Sequence, residues 1–261
     1  MTPQSAKTAA ELLTRHWDAG TRLDHLPEAL RPATREDGYG IQAQWLNHTS
    51  KPLFGWKIAA TSVAGQRHIN VDGPLAGRLL AEMVLPDGAT IPLANCLMRV
   101  AEVELALRFE RALPPRGRPY SVEEVMAAVG TLHPAIEIPD SRYTDFCAVG
   151  APQLIADNAC THRFILGPAA TRRWRDVDLA AHAVSAEVAG KSRHDGKGAN
   201  VLGDPRIALA WIVNELNALG ITMGAGEVVT TGTCVTPIPV VPGDVVKASY
   251  GGFGELSVRF A

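Results

Sequence analysis

AEVELALRFE, residues 101–110, sets two glutamates two positions apart inside an otherwise apolar run. Val103, Leu105, Leu107 and Phe109 alternate with Glu102, Glu104, Arg108 and Glu110. A period of two is the mark of a β-strand, because successive side chains leave a strand on opposite faces. The glutamates then have two readings. In one the strand is half exposed and its charges simply face water. In the other the pair supplies oxygen ligands to one divalent cation, since residues two apart project from the same face roughly 6.5–7 Å from each other. Glutamate side chains are long enough to converge over that gap.

Outward from this stretch the chain divides in texture. From Phe54 onward, short apolar runs alternate with turn chemistry: VDGP, LPDGAT, LPPRGRP, VPGDVV and YGGFGE. That spacing predicts a strand-rich body rather than alternating strand–helix units. Two helices are expected to interrupt it. SVEEVMAAVG opens on a Ser-x-x-Glu capping box at Ser121, and DPRIALAWIVNELNALG has Pro205 in its first turn and Gly220 at its end. The terminal GDVVKASYGGFGELSVRF reads as a hairpin turning through its Gly-rich centre. Residues 1–50 read instead as helical. SAKTAAELLTRHWDAG spaces Ala9, Leu12, Leu13 and Trp17 along one helix face, with Ser5 as cap and Gly20 as stop. TREDGYGIQAQWLN repeats the pattern behind Thr34. The expected organisation is a helical region over residues 1–50 and a strand-rich body over 51–261, together one compact unit.

Composition narrows the function classes. The 261 residues are 46% hydrophobic and 20% charged, with a formal net charge of −2, which gives no electrostatic reason to expect nucleic acid or an anionic membrane as partner. No apolar run approaches the roughly 18–20 residues of a membrane span. MTPQSAKTAAELL lacks the basic segment and long apolar core of a secretory signal. The four cysteines show no C-x-x-C spacing and are expected as reduced thiols in a soluble, cytoplasmic protein.

Two carboxylates alone hold a hard cation such as Mg²⁺ loosely, so a third acid is expected elsewhere. HPAIEIPDSRY offers Glu137 between Ile136 and Ile138. A carboxylate on a buried strand is costly unless paired or metal-bound. The competing reading for Glu137 is a salt bridge to Arg142 or another base. LFGWKIAATS places Lys57 between Trp56 and Ile58, where an ammonium is either paired with a carboxylate or kept for function. INVDGPLAG supplies Asp72 ahead of a Gly-Pro turn, where an aspartate is most often a turn former.

In order along the chain, GWKIAATS, VDGPLAG, AEVELAL, AIEIPDSRY, IADNAC, NVLGDPRIALAWIVNEL and VVTTGT…PIPVVPGDVVKASYGGFGELSVRF resemble the 2-oxopent-4-enoate hydratase / 4-oxalocrotonate decarboxylase group of the fumarylacetoacetate hydrolase superfamily. The resemblance runs from about Tyr39 to the end. It implies an α+β fold, with a helical amino-terminal part packed on a mixed β-sandwich roll. It implies Glu102, Glu104 and Glu137 as ligands for Mg²⁺ or Mn²⁺, and Lys57 near the substrate's oxo-acid end. Asp72 becomes an acid/base candidate, and Lys57, Ile58 and Cys160 become substrate contacts. The implied activity is hydration of a 2-hydroxy-2,4-dienoate to a 4-hydroxy-2-oxo acid in the catabolism of aromatic compounds. Decarboxylation of a 2-oxo-3-enedioate is the alternative, with Arg67, Arg142 or His68 available to a second carboxylate. A catalytically weak metal-binding assembly subunit is a further one. Hydrolytic carbon–carbon cleavage would need a His-Glu pair before the metal segment, which this chain lacks. The resemblance also implies a homo-oligomer, possibly complexed with another enzyme of the pathway.

Two departures stand out. The group often reads Asp-Asn-Ala-Ser where this chain has Asp157-Asn158-Ala159-Cys160, with a thiol in place of a hydroxyl. Its Asn-Gly turn becomes Ala189-Gly190, followed by the basic stretch KSRHDGKG, residues 191–198, which reads as a solvated loop. Cys160 reads as a small buried apolar residue.

Overall fold

The computed structural model describes residues 1–261. Its helices are α1 (Pro3–Ala19), α2 (Arg35–Ala43), α3 (Val63–His68), α4 (Val122–Met126), α5 (Ala151–Ala156) and α6 (Pro205–Ala218). The strands run β1 (Gly55–Ala59), β2 (Leu75–Leu79), β3 (Val84–Leu85), β4 (Thr90–Ile91), β5 (Val100–Phe109), β6 (Val129–Ile138) and β7 (Arg163–Leu166). They continue as β8 (Ala183–Val188), β9 (Ser192–Lys197), β10 (Val228–Thr233), β11 (Ile238–Pro239), β12 (Val245–Ser249) and β13 (Glu255–Phe260). No helix is long and apolar enough to cross a membrane.

Helix boundaries follow local chemistry. Thr2, not Ser5, caps α1: its hydroxyl accepts the Ser5 N–H at 3.1 Å, and Pro3 fills the first turn, where a missing N–H costs nothing. Gly20 closes the helix in the left-handed region, φ +63°. Thr34 and Asp37 form a reciprocal capping box on α2, and Ser121 and Glu124 do the same on α4. The short helices α3 and α5 were not expected. At six residues each they are too brief to show an amphipathic period.

Two mixed sheets carry the body. The larger has the order β2-β1-β10-β5-β6-β7-β3, with β11 on β5; the smaller is β4-β13-β12-β8-β9. β12 and β13 form the expected terminal hairpin. The main core of fifty buried residues draws Val103, Leu105 and Ile136 from one sheet, Val246 and Val258 from the other, and Ile212 from α6. A smaller cluster joins Ala9 and Leu13 of α1 and Ile41 of α2 to Leu80, Met83, Tyr143 and Ala156. The helical amino-terminal part is thus seated on the body through its apolar stripe.

Three sequence expectations change here. β5 is a central strand covered on both faces: Glu102 and Arg108 are half-buried and every other residue from Ala101 to Phe109 is buried. The half-exposed strand is therefore overturned. The basic stretch 191–198 is no loop; it contains β9, paired antiparallel with β8, with Arg193 bound to its neighbour Asp195. Arg142 does not meet Glu137. It pairs with Asp157 in full burial and donates to the Thr161 carbonyl at 3.0 Å, while Asp157 also accepts from Ser141 Oγ at 2.7 Å.

Removing one partner of such a buried pair strands the other charge. Asp157→Ala is expected to lower the unfolding free energy by about 3–5 kcal/mol, read from the urea midpoint. A midpoint equal to that of the parent would mean that Arg142 finds compensation elsewhere.

Candidate metal centre and substrate cavity

β5 and β6 run antiparallel in a register that sets Glu102 directly opposite Glu137, and Glu104 lies two positions along β5 on the same face. Ligand atoms of the three carboxylates all lie within 4.8 Å of one another. Like charges directly opposite on a ladder repel, so this arrangement requires positive charge close by. Lys57 supplies part of it. From β1, Lys57 Nζ reaches 2.9 Å from Glu137 Oε1, with the two side chains only 2% and 1% exposed.

Glu104 is held by a bulge. β10 pairs with β5 as Thr230↔Ala106 and then Thr233↔Glu104, one residue too many on the β10 side. The surplus turns two donors onto one oxygen: Thr230 Oγ1 at 2.5 Å and Gly232 N at 2.7 Å from Glu104 Oε2. Gly232 adopts φ +108°, and a Cβ there would lie 2.0 Å from Thr61 Oγ1. Only glycine fits both the backbone and the space.

The other oxygens point elsewhere. Glu104 Oε1 and Glu137 Oε2 are buried without a hydrogen-bond donor, and Glu137 Oε1 has only the Lys57 ammonium beside it. Orphaned buried oxygens are rare in folded proteins and call for a partner. Burial pushes the Glu102 carboxyl up to about 7, with the Glu137 charge adding and Lys57 opposing. Burial, then the charges of Glu137 and Glu102, push Glu104 well above the carboxylate range against the pull of its two donors. Burial also raises Glu137 despite Lys57. Burial pulls the Lys57 ammonium down, but the charges of Glu137 and Glu102 outweigh it and hold the group above its ordinary value. With all four groups ionised, three carboxylates and one ammonium leave two negative charges, which one divalent cation cancels. An all-oxygen donor set suits a hard ion such as Mg²⁺ or Mn²⁺. The residues present therefore could hold such an ion, and they fit it in donor type and in charge.

Lys57 and Glu102 line a cavity of about 700 Å³. Ile58 and Cys160 line it too, so four of the sequence-predicted site residues line the same cavity, and Glu104 and Glu137 are buried. Cys160 gets there through an unusual turn. Asn158, Ala159 and Cys160 all take positive φ, between +51° and +61°, where an L-residue pays about 1–2 kcal/mol. Asn158 anchors the turn by accepting from Arg78 N at 2.6 Å and donating to Arg78 O at 2.8 Å. Gly77 lets the turn approach, since a Cβ there would lie 2.6 Å from Asn158 O and 3.0 Å from Lys57 Cγ. Burial and the Asp157 charge push the Cys160 thiol up to about 12, so it is a neutral wall residue.

Asp72 is not brought to this place. Its side chain is 87% exposed, 3.4 Å from Arg35, and outside the cavity lining. Of the candidate cations for a second carboxylate, Arg142 is spent on Asp157 and Arg67 lies outside the lining; His68 lines the wall with its ring edge-on to Phe146. Thr230 and Gly232 were missed from sequence. A glycine inside a strand pattern, as in VVTTGT, is the signal for a bulge that would have found them.

Comparison with known proteins agrees with this architecture. The chain is 30% identical over 263 residues to 2-keto-4-pentenoate hydratase of Paraburkholderia xenovorans, covering 100% of this chain and 96% of that one. It is 33% identical over 262 residues to 2-hydroxyhexa-2,4-dienoate hydratase of Comamonas testosteroni, covering 98% and 92%. A solved structure of 4-oxalocrotonate decarboxylase from Pseudomonas putida G7, complexed with magnesium and adipate, superposes with a TM-score of 0.89 at 27% identity, covering 100% and 99%. Residues 30–261 match the fumarylacetoacetate (FAA) hydrolase C-terminal family model. With the family pattern spanning nearly the whole chain, and the three glutamates and Lys57 meeting at its centre, the chain belongs to the fumarylacetoacetate hydrolase family.

Proposed function

We propose that this chain is a Mg²⁺- or Mn²⁺-dependent hydro-lyase that converts a 2-hydroxy-2,4-dienoate and water into a 4-hydroxy-2-oxo acid. The carrying observation is the Glu102–Glu104–Glu137 cluster, half-buried at Glu102 and buried at the other two, with Lys57 and oxygens lacking donors, at the wall of a largely apolar cavity. Ketonisation moves the enol proton to carbon 5 and leaves a conjugated 2-oxo-3-enoate. Water then places a hydroxyl on carbon 4 and a proton on carbon 3. A bound divalent ion supplies an electron sink at the 2-oxo group.

The chain's own residues set the rest. Glu102, Glu104 and Glu137 would hold the ion, with Glu104 aimed by Thr230 and Gly232. The Lys57 ammonium, kept charged by Glu137 and Glu102, opposes the substrate carboxylate. Asp72 receives no catalytic role, because it stands in solvent. The decarboxylase alternative needs a cation for a second carboxylate, and no arginine lines the cavity. The unbridged cysteines suit the reducing cytoplasm that we assign to the protein.

Purified protein mixed with 2-hydroxypenta-2,4-dienoate is expected to yield a product heavier by one water, with Mg²⁺ or Mn²⁺ and not with EDTA, read by mass spectrometry. Dienols ketonise unaided, so loss of absorbance alone does not count. Metal-dependent loss of CO₂ from an oxo-enedioate, with no hydration of the monoacid, would replace this reading with the decarboxylase.

Glu102→Gln and Glu137→Gln are each expected to weaken Mn²⁺ binding by at least about tenfold in calorimetry, with the far-ultraviolet dichroism unchanged. Undiminished affinity in both would remove these residues from the metal centre. Gly232→Ala, which touches no ion itself, should cost about 10–100-fold in affinity or turnover by misaiming Glu104, whereas Gly226→Ala, at a glycine also in the left-handed region (φ +86°) but with open space around it, serves as the control for backbone strain alone.

A further inference from the structure

We infer that the cavity is built for a dienoic acid carrying an apolar tail of several carbons beyond its five-carbon head. The head group rests on the hydratase reading; the tail is read from the walls. Cavities of roughly 300–1,000 Å³ enclose drug-sized ligands, so a five-carbon acid leaves most of the 700 Å³ unfilled. Fourteen of the 28 lining residues are hydrophobic, among them Ile69, Leu97, Met98, Phe146 and Val235.

The charges on the walls favour the same occupant. Apart from Lys57, Glu102 and the neutral Cys160 thiol, the charged or ionisable lining side chains are Asp145 and His68. Asp145 is exposed and its carboxylate repels a second acid group. The His68 ring rests against Phe146, centroids 6.0 Å apart, so it presents an aromatic surface there. Large apolar side chains also stand open beside this cavity. Leu97 lines it while 42% exposed, and Val63 is 63% exposed on α3, whose Ala64 and Gly65 belong to the wall. An apolar tail seated along them removes that surface from water, and each fully buried methylene is worth about fourfold in affinity.

The test is calorimetric titration of the Mg²⁺-loaded protein with 2-oxopentanoate, 2-oxodecanoate and 2-oxoadipate, beside turnover of 2-hydroxydienoates bearing hydrogen, n-pentyl or carboxymethyl at carbon 5. We expect 2-oxodecanoate to bind at least tenfold more tightly than 2-oxopentanoate, which needs about two of its five extra methylenes buried. The n-pentyl dienoate should show the highest kcat/KM and 2-oxoadipate the weakest binding. Leu97→Asp should shrink the decanoate-to-pentanoate ratio at least threefold. Equal binding of the two monoacids, a preference for the dicarboxylate, or a ratio untouched by Leu97→Asp would overturn the inference. If the binding order holds but no dienoate is hydrated, the tail stands and the hydratase reading falls. If the five-carbon dienoate is hydrated but the order fails, the reverse is true.

Discussion

Two glutamates facing each other across a buried antiparallel ladder form the constraint on which the rest of this molecule turns. Glu102 and Glu137 occupy directly opposed positions, with Glu104 two residues along, in strands whose neighbours cover them. Apolar side chains there would have given a more stable sheet, since burying a carboxylate without compensation costs several kcal/mol. The fold instead spends one ammonium, Lys57, and still leaves the cluster with two uncompensated negative charges. A divalent cation would cancel that excess, which links sheet pairing to the chemistry we propose.

The surroundings serve that arrangement at several removes. The bulge between Thr230 and Thr233 fixes one oxygen of Glu104 and leaves the other free to face the centre. The left-handed turn at residues 158–160 presses against Gly77 beside the stem of Lys57, and the buried Arg142–Asp157 pair underlies that turn. Strain in the turn and charge in the pair are both unfavourable alone. Each persists because hydrogen bonds from Asn158 and Ser141, and from Arg142 to the Thr161 carbonyl, overdetermine the geometry. The cost is concentrated where the cavity wall is shaped.

Much of this was legible in the residues, and what was not has a common cause. Period-two alternation located β5, and an acid between two isoleucines located Glu137, because both signals lie within a few residues of chain. Caps at Thr34 and Ser121 were readable for the same reason. Pairings were not. Arg142 lies five residues from Glu137, yet it turns to Asp157, while Lys57 arrives from eighty residues away across β10 and β5. Register between distant strands decides such contacts, and no local pattern carries it. The resemblance put Asp72 beside the substrate; its turn instead leaves the side chain in solvent near Arg35.

We propose that one divalent ion sits among these three carboxylates. Anomalous diffraction from crystals grown with Mn²⁺ tests it most directly. The account predicts a single strong peak within about 2.0–2.3 Å of oxygens from Glu102, Glu104 and Glu137, with Lys57 still beside Glu137. A peak elsewhere, or none while the protein remains folded and the carboxylates keep their places, would contradict it.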